Sequence, residues 1–106
     1  MPKYLIQASY TEAGLKGVLK GGGTARRQAV ERMVESVGGR VEQMYFAFGE
    51  SDVYIVADLP SNAASAAVGL TTSASGGART KTVVLLTAEE VDEAAKLKVQ
   101  YQVPGA

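Results

Sequence analysis

The sequence predicts an α+β domain in which helices cover one face of an antiparallel sheet. Short runs rich in β-branched and aromatic residues recur at Tyr4–Tyr10, Val41–Phe48, Val53–Ala57 and Arg79–Leu86. Helical periodicity, bounded by glycine clusters, fills the stretches after the first and third runs. The second and third runs are separated only by Gly49-Glu50-Ser51-Asp52, a turn that makes them hairpin neighbours.

In the first strand, YLIQASY, Tyr4, Ile6, Ala8 and Tyr10 share one face, and Leu5, Gln7 and Ser9 the other. Thr11-Glu12 is a helix-start signal, and Leu15, Val18 and Leu19 fall at i, i+3 and i+4 until Gly21-Gly22-Gly23 interrupts the pattern. Thr24 is expected to cap a second helical segment. Its Val30, Met33, Val34 and Val37 form an apolar stripe closed by Gly38-Gly39. After the hairpin, Pro60-Ser61-Asn62 opens a helix in which Ala63, Ala66, Ala67, Leu70 and Ala74 share a face of small residues, predicted to sit close on the sheet, and Gly76-Gly77 ends it. Beyond the fourth strand, Thr87-Ala88-Glu89-Glu90 matches a capping box and starts a last helix to about Lys96. Val99–Val103 alternates again before Pro104 and has no partner in a four-strand plan, which points to docking on a neighbouring subunit.

This order is the split βαβ, or ferredoxin-like, βαββαβ arrangement with an extra C-terminal helix and an extended tail. Residues 1–97 form one domain and 98–106 the tail. The helices suffice for one face of the sheet, whereas strands two to four offer Met44, Phe46 and Phe48, or Tyr45, Val56 and Val84, to the other. An exposed apolar face of that size favours pairing of two sheets, so the expected assembly is a homodimer or higher homo-oligomer in the form of a dimeric α+β barrel.

Composition narrows the chemistry. Eleven basic and eleven acidic residues balance, so no bulk field attracts nucleic acid or an anionic membrane. No Cys and no His are present, which removes disulfides, thiolate zinc sites and the commonest metal ligand and general base. The expectation is no metal and no cofactor. Apolar runs fall far short of the roughly 20 residues that span a bilayer, and the N-terminus lacks a charged region followed by an apolar one. A cytoplasmic protein is therefore expected.

The opening PKYLIQASYTEAGLKG, the hairpin YFAFGESDVYIVADLP, the segment ARTKT and the closing YQVPGA together resemble the GYD domain family of small proteins. The resemblance covers most of the chain and implies the ferredoxin-like, dimeric α+β barrel fold. The family hairpin reads Gly-x-Tyr-Asp; here Gly49 and Asp52 match, Ser51 stands at the tyrosine position, and Lys81 stands where an acidic residue is more usual. A similar Gly-x-x-Asp hairpin occurs in the ligand-binding domain of leucine-responsive transcription regulators, so the chain resembles at most the stand-alone sensor half of such a regulator.

The candidate ligand contacts are Tyr10, Tyr45, Asp52 and Arg79. Asp52 reads either as a turn residue bonding backbone amides, beside a Gly49 of positive φ, or as a carboxylate at a pocket mouth. Tyr10 and Tyr45, near strand ends, offer polar tips, and Arg79 a bidentate clamp for a carboxylate. Gly21-Gly22-Gly23-Thr24-Ala25-Arg26-Arg27 suggests an anion cradle but lacks the Gly-Lys-Ser/Thr ending of a phosphate loop, so a flexible connector is the stronger reading. The leading expectation is a small-molecule-binding or assembly module with its pocket at the dimer seam. The alternative is a cofactor-independent oxygenase or isomerase, in which Asp52 or a tyrosine would remove the proton.

Overall fold

In the computed structural model, which describes all of residues 1–106, strand β1 (Lys3–Tyr10) lies inside the sheet. It pairs antiparallel with β3 (Val53–Asp58) on one side and β4 (Ala78–Leu85) on the other. Strand β2 (Arg40–Phe46) adds to β3, giving the order β2-β3-β1-β4. With α1 (Glu12–Ser36), α2 (Asn62–Ala74) and α3 (Ala88–Lys96), this four-stranded antiparallel sheet is compatible with the ferredoxin-like fold.

Register places Tyr4, Ile6 and Ala8 of β1 beside Ala57, Ile55 and Val53 of β3 on one face, and all six are buried. Val30 and Val34 of α1, Val68 of α2 and Leu59 complete the core, with Met33, Val37, Val41 and Met44 packed around it. The stripe expected on the second half of α1 therefore meets the sheet. Tyr4 fills the centre, and its hydroxyl donates to Asn62 Oδ1 (2.5 Å) at the start of α2.

Local signals set most boundaries. Thr11, Ser61 and Thr87 each cap a helix, accepting from the N–H of Gly14, Ala64 and Glu90, and the Glu90 side chain returns the bond to the Thr87 N–H (3.0 Å) to complete the capping box. The C-terminus of α1 closes as expected at Gly38-Gly39, whose N–H groups donate to the carbonyls of Glu35 and Val34. The expected interruption is present too, but as a kink confined to Gly22 (φ 85°, ψ 169°), so helix runs up to Gly21 and resumes at Gly23, and Thr24 lies inside it rather than capping it.

Two helix faces depart from those expected: in α1 only Val18 of Leu15, Val18 and Leu19 lies on the sheet side, and in α2 the expected face is turned outward. Early in α1, Leu15 and Leu19 face solvent, Leu19 at 85% exposure, while Gly14, Gly17, Val18 and Gly21 face the sheet side. In α2, Ser65 and Val68 are buried, whereas Ala63, Ala66, Ala67, Leu70 and Ala74 are exposed. Close approach is the cause in α1. A Cβ on Gly14 would stand 1.9 Å from the Gly77 carbonyl oxygen, so only glycine fits there and the leucines must turn outward. In α2 the sheet side is so near that a Cβ on Gly69 would already touch Thr80 Oγ1 at 3.3 Å, while Leu70 faces solvent.

The other sheet face carries Leu5, Tyr54, Val56, Val83 and Tyr45, without a covering helix. Val84 and Phe46, offered above as candidates for this uncovered face, share the helix side with Tyr4 and Val53. The segment Val99–Val103 forms no strand in the single chain, and every residue from Ala88 onward is exposed. This arm makes the molecule long, with a radius of gyration of 16.9 Å against about 13 Å for a compact domain of this length. No helix is long and apolar enough to cross a membrane.

One end of the sheet is tied by a row of charges. Asp58, nearly buried, accepts from Lys3 Nζ on β1 and from Arg40 on β2, each at 2.9 Å, and Lys3 also reaches Glu42 at 2.6 Å. Glu42 sits at a bulge between Val41 and Gln43. The hydrogen bond from Lys3, more than any other influence, holds the Asp58 carboxyl below its ordinary 3.8. A lowered folded-state pKa contributes stability that is complete above the unfolded value and is lost as pH falls through the folded one. Urea midpoints of the wild type should therefore drop as pH falls below about 4, and Asp58→Asn should flatten that slope; equal slopes would show that the row contributes nothing.

Candidate functional site

Between the first half of α1, α2 and the helix-facing side of β1 and β4 lies a cavity of about 310 Å3. Its floor includes Ile6, Ala8 and Thr80, its far wall Val30, Met33 and Val68, and its roof the backbone of α1 at Gly14, Gly17, Gly21 and Gly22. The roof glycines fall at i, i+3 and i+7, one face of a helix. They are not alike. Gly14 is required by contact with Gly77, whereas a Cβ on Gly17 would meet nothing within 4 Å and one on Gly21 only Ala25 Cβ at 4.0 Å. The missing side chains at Gly17 and Gly21 are what keep this space open.

Ionisable groups on the wall are Tyr10 and Arg26, and no carboxylate joins them. Burial, the largest influence on Tyr10, raises its phenol above the ordinary 10.0 despite the opposing positive charge of Arg26, so the hydroxyl stays protonated at neutral pH. The ion pairs of the chain join Lys3, Lys16, Arg27, Arg40 and Lys81 to carboxylates. Arg26, half-buried at the cavity, has no such partner.

Of the four sequence-predicted contacts, the structure brings two together. Tyr10 lines the cavity, and its backbone N–H donates to Asp52 Oδ2 at 2.9 Å. Asp52 also donates its own N–H to the Ala8 carbonyl (2.9 Å), and Ser9 Oγ donates to the Glu50 carbonyl (3.3 Å), so the hairpin end is stitched onto β1. Tyr45, 66% exposed, and Arg79 lie on the opposite, open face, on β2 and β4 with two strands between them. Ser51 is buried beside Gln7, its Oγ 3.5 Å from Gln7 Oε1, and does not line the cavity. No three acidic side chains gather closely enough to hold a metal ion.

The expected positive φ at Gly49 is absent; glycines with positive φ are Gly22, Gly38, Gly76 and Gly105, and a Cβ on Gly49 would meet nothing. Sequence reasoning also missed Gly17, Gly21 and Met33 as cavity residues, although the glycine spacing was a readable signal. It met Arg26 only within the anion-cradle motif. Denaturant titration checks the hairpin assignment: Asp52→Ala should lose about 1–3 kcal/mol by orphaning the Tyr10 N–H. Asp52→Asn, which keeps an acceptor, should lose less than half of that, and Gly49→Ala should stay within about 0.5 kcal/mol. A larger loss for Gly49→Ala than for Asp52→Ala would refute it.

No curated protein and no solved structure matches the chain. The family profile of the GYD domain, in contrast, matches residues 4–95, from the first buried tyrosine of β1 to the last turn of α3. That span takes in the sheet, the stitched hairpin and the whole cavity wall, and it places this chain in the GYD domain family.

Proposed function

We propose that the protein is a small-molecule-binding module that works as a homodimer, with its ligand held on the helix side of the sheet. The observation that carries the binding reading is the glycine-roofed cavity. A glycine inside a helix costs about 1 kcal/mol relative to alanine, and at Gly17 no neighbour demands that glycine. Space is being kept at the expense of stability, which is how a binding site differs from a packing defect. The pocket expected at the dimer seam moves, in this reading, to the other side of the sheet.

Self-association rests on separate observations. The open face presents Leu5, Tyr54, Val56 and Val83 with charges at its two ends, the Lys3-Asp58-Arg40 row and the Lys81–Glu50 pair. That is the anatomy of an interface core with a polar rim. Sheet-to-sheet pairing gives the dimeric α+β barrel and also buries Tyr45 and Arg79. The arm adds to it: α3 has nine residues, too few for a helix to persist alone in water, and exposes Val91, Leu97, Val99, Tyr101 and Val103. Residues 1–86 carry nine basic and seven acidic side chains, residues 87–106 two basic and four acidic. The arm and body are thus opposite in net charge, and the arm docks on the second copy.

The oxygenase or isomerase alternative needs a base at the cavity. Tyr10 stays protonated, and Asp52, the carboxylate nearest to it by hydrogen bonding, is committed to a backbone N–H and stands off the wall. Binding is the better-supported role.

Native mass spectrometry of the protein purified from its own host tests both parts. The wild type should appear as a dimer or a multiple of it carrying a small organic molecule, and Gly17→Leu should keep the assembly while losing the bound mass. A variant that retains the ligand would refute the cavity reading, and a folded monomer at micromolar concentration would refute the dimer.

A further inference from the structure

Three surfaces stand apart from the core: the open sheet face, the exposed arm and the electrostatics of the cavity. The third carries an inference furthest. Granting that the cavity is the binding site, its walls state the chemistry of what enters. Apolar groups from Ile6, Ala8, Val18, Val30, Met33 and Val68 surround most of it. Arg26 is the only charged side chain on the wall, and it lacks a carboxylate partner within the chain. Its neighbour Arg27 points elsewhere, pairing with Glu31 at 4.0 Å on the helix surface.

Two further features surround the guanidinium. The kink at Gly22 starts a second helical segment at Gly23, and Gly21, Gly22, Ala25 and Arg26, which flank that start, all line the cavity. The C-terminal end of the first segment and the N-terminal end of the second meet there, so their opposite dipole ends offset each other and leave the guanidinium as the charge on this wall. The phenol of Tyr10, kept protonated by burial, supplies a hydrogen-bond donor on the wall. The hydroxyls of Thr72, Ser75 and Thr80 complete the polar lining, and none carries negative charge. A half-buried guanidinium with no anion, beside a phenol, is an anion site waiting for a counter-charge on an apolar body.

We infer that the cavity binds a small monoanionic organic acid, its carboxylate paired with Arg26 and hydrogen-bonded by Tyr10, its hydrocarbon part filling the space under Gly17 and Gly21. The volume of about 310 Å3 suits an aromatic or branched acid of roughly benzoate size and is at the small end for ligand pockets, about 300 Å3. The anion cradle suggested by the glycine-arginine motif is thus rebuilt from different parts: Arg26 binds, while the glycines supply room and the kink.

Isothermal titration with benzoate, and with benzyl alcohol as its neutral counterpart, separates this inference from the cavity reading on which it rests. Benzoate should bind the full-length wild type more tightly than benzyl alcohol. Arg26→Gln should weaken benzoate by about tenfold or more and leave benzyl alcohol unchanged. Arg27→Gln should alter neither, and Tyr10→Phe should weaken benzoate by a smaller factor. Gly17→Leu should abolish both. Equal affinity for the two probes, or unchanged benzoate binding by Arg26→Gln, overturns the anion assignment while leaving the cavity intact as a site. Absence of binding by both probes up to millimolar concentration overturns the two readings together.

Discussion

The closest constraint in the molecule is the clasp between the start of α1 and the turn before β4. Thr11 donates its N–H to the Gly77 carbonyl (3.1 Å) and its hydroxyl to the Gly76 carbonyl (2.6 Å), and one turn later Gly14 lies against the same Gly77 oxygen. Nothing larger than a hydrogen fits at that contact. Because Gly14 must point at the sheet, so must the residues three and seven positions on, which are Gly17 and Gly21. The helix therefore presents backbone where a core helix would present leucine, and the cavity follows from it. Leu15 and Leu19 are displaced outward by the same rotation.

Much of the fold was legible in the sequence because it rests on local chemistry. Alternation in YLIQASY divided the two faces of β1 as they stand, without telling which meets the helices, the capping residues Thr11, Ser61 and Thr87 marked true helix starts, and the glycine run located the kink. What failed in α1 was the assumption that the largest apolar side chains face inward, and in α2 the expectation that the alanine face meets the sheet. The former follows from burial area, but in α1 and α2 the separation of helix from sheet decides the matter. Contacts such as Gly14 with Gly77 join residues 63 positions apart and leave no trace in periodicity. Tyr10 was singled out from its place at a strand end, and it lines the cavity. The role of Asp52 as a brace for β1, rather than for its own turn, depends on the register between β1 and the hairpin and was not. Arg26 was visible only as half of an arginine pair, since sequence cannot show that Arg27 pairs with Glu31 while Arg26 does not.

The two faces of the sheet divide the work. On the helix side, polar atoms are few and placed around one guanidinium, and the hairpin secures the end of β1 from which Tyr10 extends. On the open side, apolar residues are framed by charge pairs and continue into an arm with no packing of its own. Strand β1, inside the sheet, carries residues on both surfaces: Ile6, Ala8 and Tyr10 on the helix side, Leu5 and Gln7 on the open side. Membership of the GYD domain family covers both surfaces, since the matched residues 4–95 include every strand.

Which face holds the ligand is the point on which the account stands. Methyl-resolved NMR of the intact protein during addition of benzoate answers it directly, because valine and methionine methyls mark both surfaces. With the ligand on the helix side, shifts should concentrate at Val18, Val30, Met33 and Val68 around the cavity, with Val56 and Val83 unmoved. Perturbation centred on Val56 and Val83, with the cavity methyls silent, would place the ligand at the seam and contradict it.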